Sequence, residues 1–292
     1  VNTENKGYAR SSFIMHGTGV CDVCLKVEDA AATVTRATAL GAPMFEQEVG
    51  PGELKIPAIR SIAGSLMHFV DSRSDLAKIW EIDFETAGPD DPKGAGLTRI
   101  DHVAETMAYD EMLSWSLFYT SIFDMNKAAM VDVIDPDGLV RSRALESANG
   151  RFRMTLNGAE SHRTLAGHFL ADSFGSAVQH IALATDDIFA TVDALLASGF
   201  EALPIPQNYY DDLEARFDLD AALIDRMQSL NVIYDEDENG AFFQVYSLPY
   251  NGGLFFEILQ RVDGYGGYGA PNAPFRIAAQ KRYLNRFAAE QD

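Results

Sequence analysis

The chain has 292 residues, 47% of them hydrophobic, and a formal net charge of −20. A chain of this length can bury one or two hydrophobic cores, and no apolar run reaches the roughly 18 residues that a membrane span needs. The acidity argues against nucleic acid and anionic membranes as partners, because phosphate binding draws on clustered Lys and Arg. We therefore expect a soluble globular protein that acts on small molecules.

The first residues predict an incomplete repeat unit. The chain opens with Val1 and lacks an initiator Met. Residues 11–15 predict the last strand of a unit whose earlier strands would lie upstream. Because a lone half-unit would leave an unpaired sheet edge, we expect preceding residues in a longer protein.

The two cysteines, Cys21 and Cys24, have a CxxC spacing but lie in a predicted strand. An odd separation along a strand sends two side chains to opposite faces of the sheet. We therefore expect neither a redox pair nor a zinc site, and a reducing, cytoplasmic location.

A strand followed by a helix occurs twice at a constant offset. Residues 20–29 align with residues 178–187, and the similarity continues into the following helix. Each copy has an apolar strand, an acidic pair that can cap a helix, and an amphipathic helix that ends near a glycine, Gly41 or Gly199. This pattern predicts a duplicated strand–helix unit.

A third copy begins at Ile100, and its helix of about 14 residues starts near Tyr109. Turn-forming and charged residues at 87–97 predict a linker before it. The sequence therefore predicts a degenerate N-terminal module at residues 1–86 and a metal-binding module at residues 98–292.

Three residues with metal-ligating side chains lie at near-equal intervals, each in a short apolar run that predicts a strand. They are His102, His180 and Glu257. A carboxylate buried in such a run needs a cation or a hydrogen-bond donor nearby. Two imidazoles and one carboxylate on one face suit non-haem Fe(II), with coordination positions left for substrate and dioxygen.

A single His in a strand is more often a hydrogen-bonded core residue than a ligand, and only the repeated strand context favours the metal. The first module has a degenerate version of the same site. Superposition of the copies puts Asp22 opposite His180 and His68 opposite Glu257. We expect Asp22 and His68 to be structural, without a metal.

The three strand segments resemble, in order, the metal-binding strands of the 4-hydroxyphenylpyruvate dioxygenase family in the vicinal oxygen chelate superfamily. The matching segments are residues 101–103, 178–181 and 255–261. The resemblance implies an α+β fold of repeated βαβββ units that form two modules, each a half-open barrel of mixed sheet, the first truncated. It also implies Fe(II), with Mg(II), Mn(II) or Co(II) as alternatives, and dioxygen as a co-substrate.

The same resemblance implies a substrate pocket lined by polar residues and covered by a C-terminal lid helix at residues 275–290. The implied pocket residues are Ser147, Asn157, Gln179, Gln244, Tyr268 and Asn272. Two of them, Gln244 and Asn157, are equally well explained as ordinary polar residues at strand edges.

Two departures put 4-hydroxyphenylpyruvate itself in question as the substrate. Ala273 stands where the family has a Phe that stacks on the substrate ring, and Leu165 stands where it has a Gln. An aromatic contact of this kind is worth roughly 0.5–1.5 kcal/mol beyond burial.

An insertion within residues 208–240, with a predicted helix at 220–230, and the ending at 270–277 resemble a bacterial subgroup with a fused N-terminal barrel, the 3-dehydroshikimate dehydratases. Two hypotheses remain. The chain is a working Fe(II) dioxygenase that acts on a 2-oxo acid or a related aromatic or alicyclic acid. Alternatively, it is an accessory domain of a dehydratase whose catalytic barrel lies elsewhere. In either case we expect a homo-oligomer.

Overall fold

The computed structural model describes residues 5–85, 94–250 and 253–289. The N-terminal part of these residues forms a small sheet flanked by helices. Its elements are α1 (Gly7–His16), β1 (Asp22–Lys26), α2 (Ala30–Ala39), β2 (Met44–Phe45), β3 (Ala58–Arg60), β4 (Leu66–Val70) and α3 (Ile79–Ile82). The strand order is β1-β4-β3-β2, and β1 runs parallel to β4.

A larger mixed sheet follows and curls into a half-barrel. Its strands are β5 (Leu97–Ala108), β6 (Met125–Lys127), β7 (Val131–Asp135), β8 (Gly138–Ser147), β9 (Arg153–Ala159), β10 (Ala177–Thr185), β11 (Ile233–Asp237), β12 (Gly240–Tyr246) and β13 (Phe255–Asp263). The helices are α4 (Met112–Ile122), α5 (Leu165–Asp172), α6 (Ile188–Ala197), α7 (Gln207–Arg216), α8 (Ala221–Ser229) and α9 (Ala273–Ala289). The strand order is β11-β12-β13-β10-β5-β9-β8-β6, and β7 also pairs with β8.

The repeated unit predicted from the sequence is present. The side chains of Asp29 and Asp187 each accept a hydrogen bond from the backbone amide three residues on, and so cap α2 and α6 at their first turns. Gly41 and Gly199, which follow these helices, both have φ 92, a conformation that glycine adopts without strain. In each unit the first and last strands are parallel neighbours, namely β1 and β4, β5 and β9, and β10 and β13. The predicted α+β fold of βαβββ units is therefore confirmed.

The prediction of a strand at residues 11–15 is wrong, because these residues lie in α1. A short apolar run does not by itself distinguish a strand from a helix. A helix satisfies its own backbone hydrogen bonds and therefore needs no neighbouring strand. The helix is held by side chains at its two ends, since the Tyr8 hydroxyl donates to the Gly64 carbonyl over 2.6 Å and His16 Nδ1 donates to the Ser173 carbonyl over 2.8 Å.

The insertion contains the predicted helix, observed as α8, and also α7, which the sequence did not predict as a helix. The lid helix predicted at 275–290 is observed as α9. Both cysteines are free thiols, and Cys24 is exposed. The predicted linker falls largely on residues 86–93, outside the described ranges, so the boundary between residues 1–86 and 98–292 stays a prediction.

One hydrophobic core joins the small sheet to the first half of the large one. It contains Met67 and Phe69 of β4, Met107 of β5, Tyr119 of α4 and Leu156 of β9. Fully burying a side chain of this size contributes about 1.5–3 kcal/mol. The two sheets therefore share a core, and β5 has one face toward the small sheet.

Candidate metal centre

The three predicted ligands come from three adjacent strands of the large sheet. On β10, Ala182 is paired with His102 of β5 on one side and with Glu257 of β13 on the other. His180 lies two residues before Ala182 and therefore projects from the same face. Strand pairing alone brings the two imidazoles and the carboxylate together.

The ligand atoms converge in a buried position. The Nε2 atoms of His102 and His180 are 3.4 Å apart, and Glu257 Oε2 lies 3.5 Å from the first and 3.4 Å from the second. An ion bonded at about 2.1 Å holds two ligands about 3–3.5 Å apart at bond angles of about 90–110°. The three residues thus fit a single divalent ion, and no other set of three His, Cys, Asp or Glu residues that could do so occurs in the described part of the chain.

The electrostatics of the site also favour a cation. Burial raises the pKa of Glu257, although the nearby His102 and a hydrogen bond from Gln244 lower it in part. Burial, with the positive charge of Arg276 as the second cause, lowers the pKa of His180 to about 3. His180 is therefore neutral at physiological pH, the protonation state in which imidazole binds metals. A bound divalent ion would compensate the buried carboxylate.

A β-bulge next to each histidine turns a second polar side chain toward the site. Pairing between β5 and β10 skips Asp101 on one strand and Gln179 on the other. An extra, unpaired residue in one strand redirects its side chain. Asp101 and His102, although consecutive, therefore point to the same region, and so do Gln179 and His180.

Asp101 fixes the orientation of His102. Its fully buried carboxylate accepts a hydrogen bond from His102 Nδ1 over 3.0 Å. It also accepts bonds from Arg261 Nη2 over 3.0 Å, Arg261 Nε over 3.1 Å and Arg153 Nη1 over 3.3 Å. Burial alone would raise the pKa of Asp101, but the hydrogen bonds from His102 and Arg261 hold it below its usual value. A proton on Nδ1 leaves Nε2 free for a metal, the usual arrangement of a ligating histidine and its supporting carboxylate.

Sequence reasoning did not assign a role to Asp101 or Arg261, although both lie in the strand segments that suggested the metal site. The available signal was an Asp directly before a His within an apolar strand. Strict alternation of side chains placed this Asp on the opposite face from His102, and only the bulge reverses that.

Two of the expected pocket residues, Gln244 and Asn272, lie behind Glu257. Gln244 Nε2 donates to Glu257 Oε1 over 2.8 Å, and Asn272 Nδ2 donates to Gln244 Oε1 over 2.9 Å. Asn272 Oδ1 lies 3.0 Å from the hydroxyl of Tyr209, on α7 of the insertion. Gln244 and Asn272 are completely buried. They hold the carboxylate ligand in place, and any contact of theirs with a substrate stays a prediction.

A cavity of about 360 Å³ lies next to the three ligands. Of the six expected pocket residues, Asn157, Gln179 and Tyr268 line it, whereas Ser147, Gln244 and Asn272 do not. Gln179 accepts a hydrogen bond from Thr106 Oγ1 over 2.8 Å. The buried Tyr268 hydroxyl has no hydrogen-bond partner among the described residues and faces this space. Ser147 instead bonds Asn149 in the hairpin between β8 and β9.

Helix α9 closes one side of the cavity with Ala273, Arg276 and Ile277. Leu165, at the start of α5, forms part of the wall as well. Both positions at which the sequence departs from the dioxygenase pattern, 165 and 273, therefore face the cavity. Their small or apolar side chains leave it without the amide and the aromatic ring expected there.

The degenerate site of the first module consists of Asp22 and His68. His68 Nδ1 lies 2.7 Å from Asp22 Oδ2. These two side chains contact each other, and their structural role stays a prediction.

Comparison with known proteins agrees with this geometry. Residues 1–85 match the family described as Hydroxyphenylpyruvate dioxygenase, HPPD, N-terminal, and residues 99–241 match the Glyoxalase/Bleomycin resistance protein/Dioxygenase superfamily. A 3-dehydroshikimate dehydratase from Pseudomonas aeruginosa is 42% identical over 280 residues, which cover 96% of this chain and 44% of that protein.

A solved structure described as a xylose isomerase-like TIM barrel/4-hydroxyphenylpyruvate dioxygenase fusion protein matches with a TM-score of 0.82 and 40% identity. The match covers 97% of this chain and 44% of that one, so this chain spans less than half the length of both proteins. A 4-hydroxyphenylpyruvate dioxygenase from Legionella pneumophila is 32% identical over 277 residues, which cover 93% of this chain and 78% of that enzyme. The resemblance seen in the strand segments is thus confirmed, and the chain belongs to the 4-hydroxyphenylpyruvate dioxygenase family within the vicinal oxygen chelate superfamily.

Proposed function

We propose that this chain is a dioxygenase that binds one Fe(II) ion through His102, His180 and Glu257 and acts on a 2-oxo acid. The observation that carries the proposal is the convergence of these three side chains, within 3.5 Å of one another, at the wall of a cavity of about 360 Å³. Two imidazoles and a carboxylate with open positions are the donor set of non-haem Fe(II) oxygenases. Mg(II), Mn(II) and Co(II) are the alternative ions.

The protein contributes orientation to this chemistry. Asp101 sets the tautomer of His102, Gln244 holds Glu257, and the ring of Phe255 stacks on His180 at 4.8 Å between centroids. Ligands held in this way stay in a fixed geometry while a substrate binds. Bound Fe(II) would supply the site at which a 2-oxo acid and dioxygen react with loss of carbon dioxide.

The cavity walls would keep water away from the reaction. Apolar side chains of β7 and β8, among them Val131, Val133 and Val140, line the cavity, and the last two pack against Ile277 of α9. A dry site strengthens electrostatic interactions and suppresses side reactions. Helix α9 therefore fits the role of a lid.

A second candidate function is supported by the similarity to the dehydratases and by the changes at 165 and 273. In this alternative the chain is an accessory domain, its metal site is inherited, and the dehydratase reaction takes place elsewhere in a longer protein. The observation that favours it is the 42% identity to a dehydratase of which this chain spans 44%.

The discriminating experiment measures bound metal and oxygen consumption together. Protein loaded anaerobically with Fe(II) is offered 4-hydroxyphenylpyruvate and other 2-oxo acids. We expect about one ion per chain and oxygen uptake that depends on the acid, with both abolished in Glu257→Gln, because the amide no longer compensates the ion's charge. The control is Glu238→Gln, which changes an exposed carboxylate. Bound metal without uptake for any acid would contradict the dioxygenase and favour the accessory domain.

No helix in the described ranges is long and apolar enough to cross a membrane. We include a cytoplasmic location and a homo-oligomer in the proposal. Light scattering on the purified protein tests the oligomer.

A further inference from the structure

Arg276 brings a positive charge to the cavity that contains the metal ligands. It lies on α9, one turn after Ala273 and next to Ile277, and all three side chains line the same cavity as His180 and Glu257. The small side chain of Ala273 leaves space in front of the guanidinium. This face of the lid helix therefore combines room with charge.

The contacts of Arg276 hold the side chain in place without neutralising it. Its Nη1 donates to Gln280 Oε1 over 2.6 Å, one turn along the helix. Its guanidinium carbon lies 5.5 Å from the ring centroid of Tyr246 and 5.1 Å from that of Phe255. A neutral amide and two aromatic faces orient a guanidinium without forming an ion pair with it.

Three other partly buried cations near the cavity have carboxylate partners. Arg153 and Arg261 both pair with Asp101. Lys281, on the same helix as Arg276, pairs with Asp135 and Asp137.

Arg276 forms no ion pair with a carboxylate of the described residues, although the chain has 43 Asp and Glu residues against 23 Lys and Arg. Arg276 is partly buried, and a planar anion such as a carboxylate satisfies a guanidinium best. The cavity thus presents a positive charge to an anionic ligand at this end.

The Arg276 guanidinium and the candidate metal ligands lie close enough for one small molecule to contact both. The ring of Phe255 is stacked on His180, with centroids 4.8 Å apart, and the guanidinium of Arg276 lies 5.1 Å from the same ring. A single aromatic ring therefore separates the cation from a metal ligand. Because Arg276, His180 and Glu257 line the same cavity, one small acid can contact the ligands and the guanidinium together.

We infer that Arg276 selects substrates with a second anionic group: one end of the substrate binds at the metal, and a carboxylate at the other end pairs with the guanidinium of Arg276. This inference rests on the proposed function for the metal-bound end. It assigns the substrate to the class of small 2-oxo acids that carry a further carboxylate. Replacement of a stacking ring by Ala273 agrees with it, because the polar end of such an acid needs space and charge in place of an aromatic contact.

Two probes of equal chain length test the inference. Both 2-oxoglutarate and 2-oxopentanoate have five carbons and the same 2-oxo acid end, but only the first has a distal carboxylate. Their binding to protein loaded with Co(II) under anaerobic conditions is measured by calorimetry, so that no turnover is required. We expect the wild type to bind 2-oxoglutarate at least about tenfold more tightly, the size expected for one hydrogen-bonded ion pair.

The variant Arg276→Gln should lose this preference and bind 2-oxopentanoate as the wild type does, whereas Arg276→Lys should retain part of it. Arg282→Gln, an exposed arginine on the same helix, is the matched control and should keep the full preference. A merely structural role of Arg276 would weaken both probes equally. Equal affinity of the wild type for the two probes, a preference that survives in Arg276→Gln, or binding of neither probe would overturn the inference. A preserved charge preference without oxygen uptake by the Fe(II) protein would contradict the dioxygenase alone.

Discussion

Asp101 connects the candidate ligand His102 to two partly buried arginines, and its negative charge acts on all three side chains. The variant Asp101→Asn keeps the size of the side chain but removes the charge that orients His102 and compensates Arg261. Loss of such a supporting carboxylate typically lowers metal affinity about 10- to 100-fold. We expect a decrease in this range, measured by competition with a chromogenic chelator.

The control for this prediction is Glu146→Gln. Glu146 accepts a hydrogen bond from Arg153 Nε over 2.9 Å but does not contact His102. Both variants change a carboxylate next to Arg153 to an amide, but only Asp101 contacts His102. Glu146→Gln should therefore change metal affinity by less than about threefold, below the loss expected for Asp101→Asn. Unchanged affinity in a folded Asp101→Asn protein would show that Asp101 does not orient the ligand.

At the residue scale, the sequence predicted the three side chains that converge in the candidate metal centre, because an ionisable residue in an apolar strand needs a physical reason. It did not predict how they are supported. Asp101 reaches His102 through a bulge, which alternation along a strand does not reveal. Gln244 was predicted as a pocket residue from resemblance alone, and its contact with Glu257 depends on the pairing of β12 with β13.

At the scale of elements, α9 is attached to β7 by the ammonium group of Lys281, which contacts the buried Asp135 and the exposed Asp137. Asp135 also accepts a hydrogen bond from the Leu165 amide at the start of α5 over 2.8 Å. Lys281→Met would leave the Asp135 charge buried without its cation. Breaking a fully buried pair costs about 3–5 kcal/mol, and we expect about 2 kcal/mol here because solvent reaches part of the pair.

Hydrogen exchange measures this loosening. Amides of α9 and of the first turn of α5 should exchange faster in Lys281→Met, whereas those of α2, whose buried residues belong to the core beneath the small sheet, should not change. Arg282→Met, an exposed position on the same helix, provides the control. Protection of α9 equal to that of the wild type would show that apolar packing alone holds the lid.

The sequence predicts an element correctly when the residues that define it lie close together along the chain. Helices α2 and α6 have an Asp cap, an apolar face and a terminal glycine in sequence, and the structure has all three. The sequence predicts a strand within α1 because the apolar run there is short. Helix α7 was recognised only as part of an insertion, since its Asn, Asp and Tyr residues have low helix propensity. Burial of Tyr209 and Tyr210 against the sheet stabilises it instead.

At the scale of the whole molecule, one buried carboxylate lies between the two sheets. Glu105, on β5, accepts hydrogen bonds of 2.8 and 3.0 Å from the hydroxyl of Tyr119 on α4. The hydroxyl of Ser61, next to the small sheet, lies 2.8 Å from the same Tyr119 oxygen and donates to it. This chain of three side chains links the small sheet to the strand that bears His102.

Burial raises the pKa of Glu105 to about 7, although the bond from Tyr119 lowers it in part. The folded state therefore holds a proton that the unfolded state releases near its ordinary pKa of about 4.3. The unfolded chain binds fewer protons in this interval, so the free energy of unfolding falls as the pH rises from about 4.3 to about 7 and is not changed further by this group above it. The total loss from Glu105 is about 3–4 kcal/mol.

Glu105→Gln removes this dependence, because an amide of the same shape has no proton to lose. We expect the variant to match the wild type near pH 5 and to be more stable near pH 8 in urea denaturation. Measurement in the presence of a chelator excludes stabilisation by bound metal. Tyr119→Phe should have the opposite effect and widen the gap between the two pH values, since the ionised Glu105 then lacks its donor. Equal pH dependence in the wild type and Glu105→Gln would mean that water reaches this carboxylate, and that the junction of the two sheets opens more readily than its packing indicates.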